Sequence, residues 1–306
     1  MKKVLFLLLI CFTQIGYSQI KYHTDKITNP TDTLCYLKND MSLLNVVVYN
    51  EFGDVGLFTN GKKDGLHKQW YENGQLKYEV NYKDGKEDGL SKVWYENGQL
   101  EVEVNYKNGV KEGISKRWYE NGQLDFELSL KNDKTDGFHR CWYKNGQLKG
   151  EENYNNGKEN GVHKKWYENN NQLEYERNYN NGKEEGISKH WYENGQLKYE
   201  INYKNGEIDG ISKRWYENDQ LNFELSLKND KKDGFHRYWY KNGQLKWEEN
   251  YIDGEANGLH REWYEIGQLR FVRNYKDGKE DGLSKYWFEN GQLISEGYIE
   301  DGKIID

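Results

Sequence analysis

Proline is almost absent from this chain: among 306 residues it occurs once, at Pro30. From residue 31 onward no residue lacks a backbone donor, which suits extended hydrogen-bonded strands. Cysteine is nearly as scarce, with Cys11, Cys35 and Cys141. Zinc-binding cysteine pairs are therefore excluded. Cys35 and Cys141 lie far apart in different kinds of segment, so that they are either free thiols or one disulfide. An excess of positive charge is also missing: 44 Lys and Arg stand against 51 Asp and Glu, a net charge of −7. Such a chain repels nucleic acid and anionic lipid. Beyond the first dozen residues nothing is apolar enough to span a bilayer. No segment has a 3.6-residue hydrophobic period, and there is no glycine-rich phosphate loop and no nucleophile elbow.

What the chain does contain is aromatic rings and glycine. A mean hydropathy of −1.15 and 31% charged residues would by themselves suit disorder. With 11 Trp, 26 Tyr and 32 Gly, the composition instead suits strands joined by tight turns. The N-terminus reads as an export signal. Lys2 and Lys3 precede a short apolar run over residues 4–12, and Gly16-Tyr17-Ser18 predicts cleavage before Gln19. The bulky Ile10 before Cys11 argues against a lipid anchor. Removing residues 1–18 takes away two lysines and no acid, so the charge of −7 becomes −9.

Tryptophan recurs at Trp70, Trp94, Trp118, Trp142, Trp166, Trp191, Trp215, Trp239, Trp263 and Trp287. Every interval is 24 residues except one of 25, where Asn169-Asn170-Asn171 lengthens a turn. A fixed period of this length marks a repeat architecture. A second period lies on top: three residues before each Trp the chain reads His67, Ser91, Ser115, His139, His163, Ser188, Ser212, His236, His260, Ser284. The array thus resembles a duplicated block of four repeats. Residues 36–65 read as a degenerate N-terminal cap, and residues 19–35 as an irregular leader.

Each repeat carries two turn signals, Asn-Gly in seven of ten repeats and Asp/Asn-Gly-Lys near the end, as at Asp84-Gly85-Lys86. Between them lie alternating runs such as Leu-Glu-Val-Glu-Val-Asn-Tyr at residues 100–106. The predicted fold is all-β: an elongated single-layer antiparallel meander of stacked β-hairpins, two strands per repeat. A lone hairpin is marginal in water, and ordering each residue costs on the order of 1–2 kcal/mol of backbone entropy. Every repeat must therefore lean on its neighbours. At about 4.8 Å between strands, ten repeats would form a ribbon of roughly 100 Å.

Two residues before every Trp the side chain is basic, and four residues after each Gln of the turn lies an acid in nine of ten repeats, Val272 being the exception. If Asn-Gly forms a two-residue loop, Lys92 sits opposite Glu103, and a cross-strand ion-pair ladder follows, roughly 0.2–1 kcal/mol per pair. A three-residue loop with a bulge would instead put Trp94 beside Leu100. The charge pairing favours the two-residue loop.

Five of the recurrent residues are histidines, but equivalent positions ~9.6 Å apart cannot share a zinc ion with bonds of ~2 Å. Loops such as residues 83–89 lack the spaced acids of an EF-hand. A row of equal carboxylates does not converge as a glycosidase needs. The chain is therefore read as non-enzymatic, with no cofactor and no metal. The candidate binding surface is the aromatic rows: the ten tryptophans named above and Tyr71, Tyr95, Tyr119, Tyr143, Tyr167, Tyr192, Tyr216, Tyr240 and Tyr264. Such rings can grip a peptide or stack on sugars. They can equally knit one repeat to the next.

The motif Gly-Leu-Ser-Lys-Val-Trp-Tyr-Glu-Asn-Gly-Gln-Leu at residues 89–100, continuing to Asn-Tyr-Lys-Asn-Gly at 105–109, resembles the MORN repeat in its bacterial variant. The likeness covers about residues 44–302. It implies stacked β-hairpins in a curved ribbon and no catalytic residues. Bacterial members are often labelled antitoxin-like. A looser likeness links the Trp-Tyr pairs and turn glycines to choline- and glucan-binding hairpins. The expected function is an exported scaffold, in the periplasm or at the cell surface, that binds a protein partner. A glycan-binding module and an antitoxin- or immunity-like partner of a toxin are the alternatives.

Overall fold

A computed structural model describes residues 21–28, 35–39 and 41–305. The apolar run at residues 4–12, the cleavage point before Gln19, Cys11 and Pro30 lie outside the described residues. Strands make up most of the described chain, and its one helical element is a 3-10 turn at Thr24–Lys26. No helix among the described residues is long and apolar enough to cross a membrane. The chain divides into two compact units, residues up to 99 with 106–109, and residues 100–105 with 110–306.

In the first unit Lys21–His23 runs parallel to Val47–Asn50, and Ile27–Thr28 pairs with Tyr36–Leu37. The segment expected as an irregular leader thus holds short strands. From Val47–Asn50 the chain meanders antiparallel through Gly53–Thr59, Lys62–Trp70 and Leu76–Lys83 to Gly89–Trp94. Leu44, Val48 and Phe58 form a fully buried apolar cluster, with Ile27, Cys35, Leu37, Val46 and Val55 packed around it. This is what a cap must supply, because a terminal repeat has a neighbour on one side alone. The second unit is the same meander continued from Leu100 to Lys303–Ile305. Its pairs of long strands, such as Gly186–Trp191 with Leu197–Lys204 and Gly210–Trp215 with Leu221–Lys228, are antiparallel throughout. The predicted all-β hairpin meander is the observed architecture of each unit.

Of the two turns of a repeat, the second is as tight as expected and the first is not what the charge pattern favoured. The second is a two-residue turn: Asp84 and Gly85 both take positive φ, +50° and +80°, and Lys83 pairs with Lys86. Asn132-Asp133 and Asn229-Asp230 make the same turn without glycine, since a short polar side chain tolerates this conformation. The Asn-Gly turn is not the two-residue loop that the charge pattern favoured. Gly74 donates to the carbonyl of Tyr71 at 3.0 Å, and Tyr71 donates to that of Gln75 at 2.8 Å. Gly74 alone has positive φ, +82°. The loop is therefore three residues, Glu72-Asn73-Gly74, a type I turn closed by a left-handed glycine.

A three-residue loop should have shifted the charge ladder out of register, and it does not. Trp70 pairs with Leu76, yet Gln69 pairs with Tyr78 and Lys68 with Glu79, because the chain bulges at Lys77. The bulge adds back the residue that the turn took, so both proposed contacts exist together. The same shift recurs before each described partner of Trp118, Trp142, Trp166, Trp191, Trp215, Trp239, Trp263 and Trp287. Sequence periodicity cannot reveal a pair of compensating irregularities, because their sum is zero.

Candidate interaction faces

Alternation assigns Leu66, Lys68 and Trp70 to one face of the sheet, and His67 and Gln69 to the other. On the first face the predicted ladder is present. Glu79 stands between Lys68 and Lys92. In the second unit the register continues from Glu103 through Lys116, Glu127, Arg140, Glu151 and Lys164. Nζ of Lys68 lies 3.1 Å from Glu79, that of Lys213 3.1 Å from Glu224, and that of Lys285 2.9 Å from Glu296. Arginine reaches both ways: Arg140 contacts Glu151 at 2.9 Å and Glu127 at 3.5 Å. Opposite Val272, the exception in the acidic row, Arg261 turns to Glu248 instead, at 3.3 Å. These pairs are about one-third exposed, so each is worth only tenths of a kcal/mol to about 1. Their regularity fixes register more than it adds stability.

Beside the ladder runs a row the sequence reading overlooked. Four residues before each Trp the side chain is aliphatic or Phe: Leu66 and Leu90 in the first unit, Ile114, Phe138, Val162, Ile187, Ile211, Phe235, Leu259 and Leu283 in the second. Apart from Phe138 these are large apolar groups 41–52% exposed. The sequence signal was available, since every repeat has an apolar residue between its glycine and its His or Ser.

The candidate aromatics are half-buried and structurally occupied. Each Trp from Trp70 to Trp287 ends the first long strand of its repeat, and the residue that follows, Tyr in nine repeats and Phe288 in the last, begins the turn. The Tyr71 hydroxyl donates to the Trp94 carbonyl at 2.8 Å, and Tyr119, Tyr143, Tyr167, Tyr192, Tyr216, Tyr240 and Tyr264 do the same to the next Trp carbonyl at 2.8–3.0 Å. Burial and the Asp125 carboxylate push the Tyr119 hydroxyl up to about 12. The turn asparagines add a second tie, Asn73 to Glu96 at 3.1 Å and Asn121 to Lys144 at 2.9 Å. These bonds knit repeat to repeat, each contributing roughly 0.5–1.5 kcal/mol.

On the opposite face the His/Ser position is buried except at His139, which is half-buried and bonded to Glu152 at 2.9 Å. His67, His163, His236 and His260, and Ser91, Ser115, Ser188, Ser212 and Ser284, are all at most 9% exposed. Neighbouring rings cover the histidines: Phe58 and Tyr82 flank His67, and Tyr251 lies between His236 and His260. Each of these imidazoles donates from Nε2 to a backbone carbonyl, Leu57 at 2.7 Å, Asn153 at 2.8 Å, Ser226 at 2.8 Å and Asn250 at 3.2 Å. Nδ1 of His67 and of His236 is left buried without a partner. Desolvation therefore holds His67 down at about 4, and lowers His236 and His260 in the same direction. No group of three or more His, Cys, Asp or Glu capable of holding a metal is found among the described residues. Cys35 and Cys141 are free thiols, both pushed up by burial.

The same face is where the repeats differ. The residue before Trp runs Gln69, Val93, Arg117, Cys141, Lys165, His190, Arg214, Tyr238, Glu262, Tyr286, while its neighbours on the other face stay basic and Trp. Between Arg177 and Leu227 this variation opens a cleft of about 500 Å³. His190 stacks on Tyr199 with centroids 4.1 Å apart and accepts from Arg177 Nε at 3.2 Å. Burial, then the Arg177 charge, bring His190 down to about 4.

Seven segments, residues 63–84, 87–108, 111–132, 136–156, 184–205, 208–229 and 280–301, match the family model described as the MORN repeat variant, and together they span half of the chain. No curated protein matches. The hairpins of Trp166, Trp239 and Trp263 fall outside the matched segments but have the same pairing and the same bulge. The family is a repeat scaffold for interactions and is not a known enzyme family. With its period, its hairpin geometry and its matched segments in agreement, this chain belongs to the MORN repeat variant family.

Proposed function

We propose that this protein is a non-enzymatic scaffold, working outside the cytoplasm, that holds a protein partner against its ladder face. The observation that carries the reading is the exposed apolar row beside the charge ladder, in the second unit Ile114, Val162, Ile187, Ile211, Phe235, Leu259 and Leu283. The row is spaced two strands apart, with Asn202, Ser226 and Asn250 standing between its members, and exposed apolar side chains recurring in this way suit an interaction site. The flanking charges alternate in sign, so they supply register and specificity rather than a net field. A partner with apolar side chains at one- or two-strand spacing and both signs of charge fits such a surface. Replacing Ile187 and Ile211 together by Lys should weaken a partner identified by cross-linking on whole cells at least tenfold, measured by titration with the purified pair, with the strand signal in circular dichroism retained. Unchanged affinity would show that the partner sits elsewhere.

Location outside the cytoplasm is supported by Lys2, Lys3, the apolar run at residues 4–12 and the small residues Gly16 and Ser18. Protein recovered from the extracytoplasmic fraction should begin at Gln19 on N-terminal sequencing. Recovery only in the cytoplasm, with residues 1–18 retained, would overturn this part.

A further inference from the structure

We propose that the cleft bounded by Arg177 and Leu227, on the His/Ser face, binds a small amphipathic carboxylate: one anionic head on a short alkyl chain or a single ring. The cleft lies on the face opposite the exposed row, and the proposal does not depend on the protein partner. Its volume of about 500 Å³ is that of a small-molecule site.

The floor is apolar because of where the repeats change. The position on the long strand that faces the buried His or Ser carries Ile201 and Leu225 here, but Arg177 in the preceding repeat and Glu249 in the following one. Phe223 and Leu227 extend the apolar lining. Apolar residues recur at this position at Val80 and Leu128, but beside Leu128 the counterpart of Arg214, Arg117, is already paired with Glu101 and Asp125, so that an apolar floor next to cations without a carboxylate is local and not a row of equal sites.

The rim supplies the charge. Lys198 and Arg214 both line the cleft, and neither has a carboxylate within ion-pair distance among the described residues. Arg177 is already committed to His190 and lies 3.8 Å from Glu184. Lys213 is paired with Glu224 at 3.1 Å. Lys198 lies over the Tyr192 ring at 5.3 Å but has no acid beside it, so two cations without a carboxylate border an apolar floor in a chain of net charge −7, and a carboxylate satisfies them in the manner that guanidinium and ammonium groups favour. Tyr199, which lies in register between His190 and Arg214, offers a ring edge to the ligand body. Ser212 lines the same cleft, and its Oγ, like that of Ser91 in the first unit, is buried without a hydrogen-bond partner.

Calorimetric titration of the protein with octanoate and with phenylacetate at low salt tests the site. One saturable site per chain is expected, with octanol at least tenfold weaker than octanoate. The double variant K198Q/R214Q should weaken octanoate at least tenfold, and K165Q, at the equivalent position two repeats before Arg214, should leave it unchanged. Absence of saturable binding, many weak sites per chain, equal binding of octanol, or an unaffected K198Q/R214Q protein would each overturn the proposal. Both variants change partly exposed polar side chains, and their strand content by circular dichroism shows that loss of binding is not loss of fold.

Discussion

Phe58→Ala should unfold the strands around the apolar cluster of the first unit and leave the distant repeats intact. Phe58 is 4% exposed and belongs, with Leu44 and Val48, to the fully buried apolar cluster of the first compact unit. Removing a buried phenyl ring costs about 3–5 kcal/mol, the spread reflecting how far the site can collapse around the cavity. Collapse is hindered here. The Phe58 ring stands edge-on to His67 at 5.0 Å, and His67 is pinned to the Leu57 carbonyl on its other side. In a structure whose stability is a sum of neighbour terms, the loss stays local. Hydrogen exchange should therefore show amide protection falling across residues 47–94, with protection across 186–287 retained. Phe235→Ala is the matched control: the same residue type at 52% exposure should cost less than about 0.5 kcal/mol. If exchange instead accelerated evenly along the chain, the array would be one cooperative block and the nearest-neighbour picture would be wrong.

The split between what was legible and what was not follows from periodicity. Hairpins, the Lys/Arg–Glu ladder and the second, two-residue turn are periodic features, and the sequence repeats them often enough to show them. The Asn-Gly turn was misread because two irregularities cancel: the extra loop residue Glu72 and the bulge at Lys77 restore the register that a two-residue loop would have had. Burial of the His/Ser row was hidden for another reason. Each repeat alone looks polar at that position, and only rings from adjoining strands, Tyr82 over His67 or Tyr251 over His236, exclude water from it. The aromatic residues drew attention as binding candidates because they are large and invariant from repeat to repeat. Invariance in a solenoid also marks what every repeat must do alike, here the bond from Tyr71 to Trp94 and its counterparts. The positions that change from repeat to repeat are those from Gln69 to Tyr286, and two of them, His190 and Arg214, line the cleft.

The buried histidines make the second large prediction, that acid destabilises the protein well before its carboxylates titrate. His67 is 2% exposed. Its Nε2 proton is committed to Leu57, and Nδ1, where a second proton would go, is buried without a partner. Desolvation outweighs the favourable backbone bonds, and Lys63 adds repulsion, so the folded imidazole stays neutral down to about 4. In the unfolded chain the same group takes its proton near 6.5. Between these values the unfolded state binds more protons than the folded one, so stability falls as pH falls. The loss begins near pH 6.5, grows to about 3 kcal/mol for His67 alone, and levels off below about 4. His236, His260 and His190 shift in the same direction. Glu152, held below the ordinary carboxylate range first by its hydrogen bond to His139, keeps its contribution until a lower pH window. Urea midpoints measured from pH 7.5 down to 4.5 should therefore fall steadily in the wild type. His67→Gln, which keeps a neutral donor in place of Nε2, should start lower at pH 7.5 and lose less on acidification. The two curves should converge toward pH 4.5. Parallel curves would mean that His67 is protonated in the folded protein and that its burial carries no electrostatic cost.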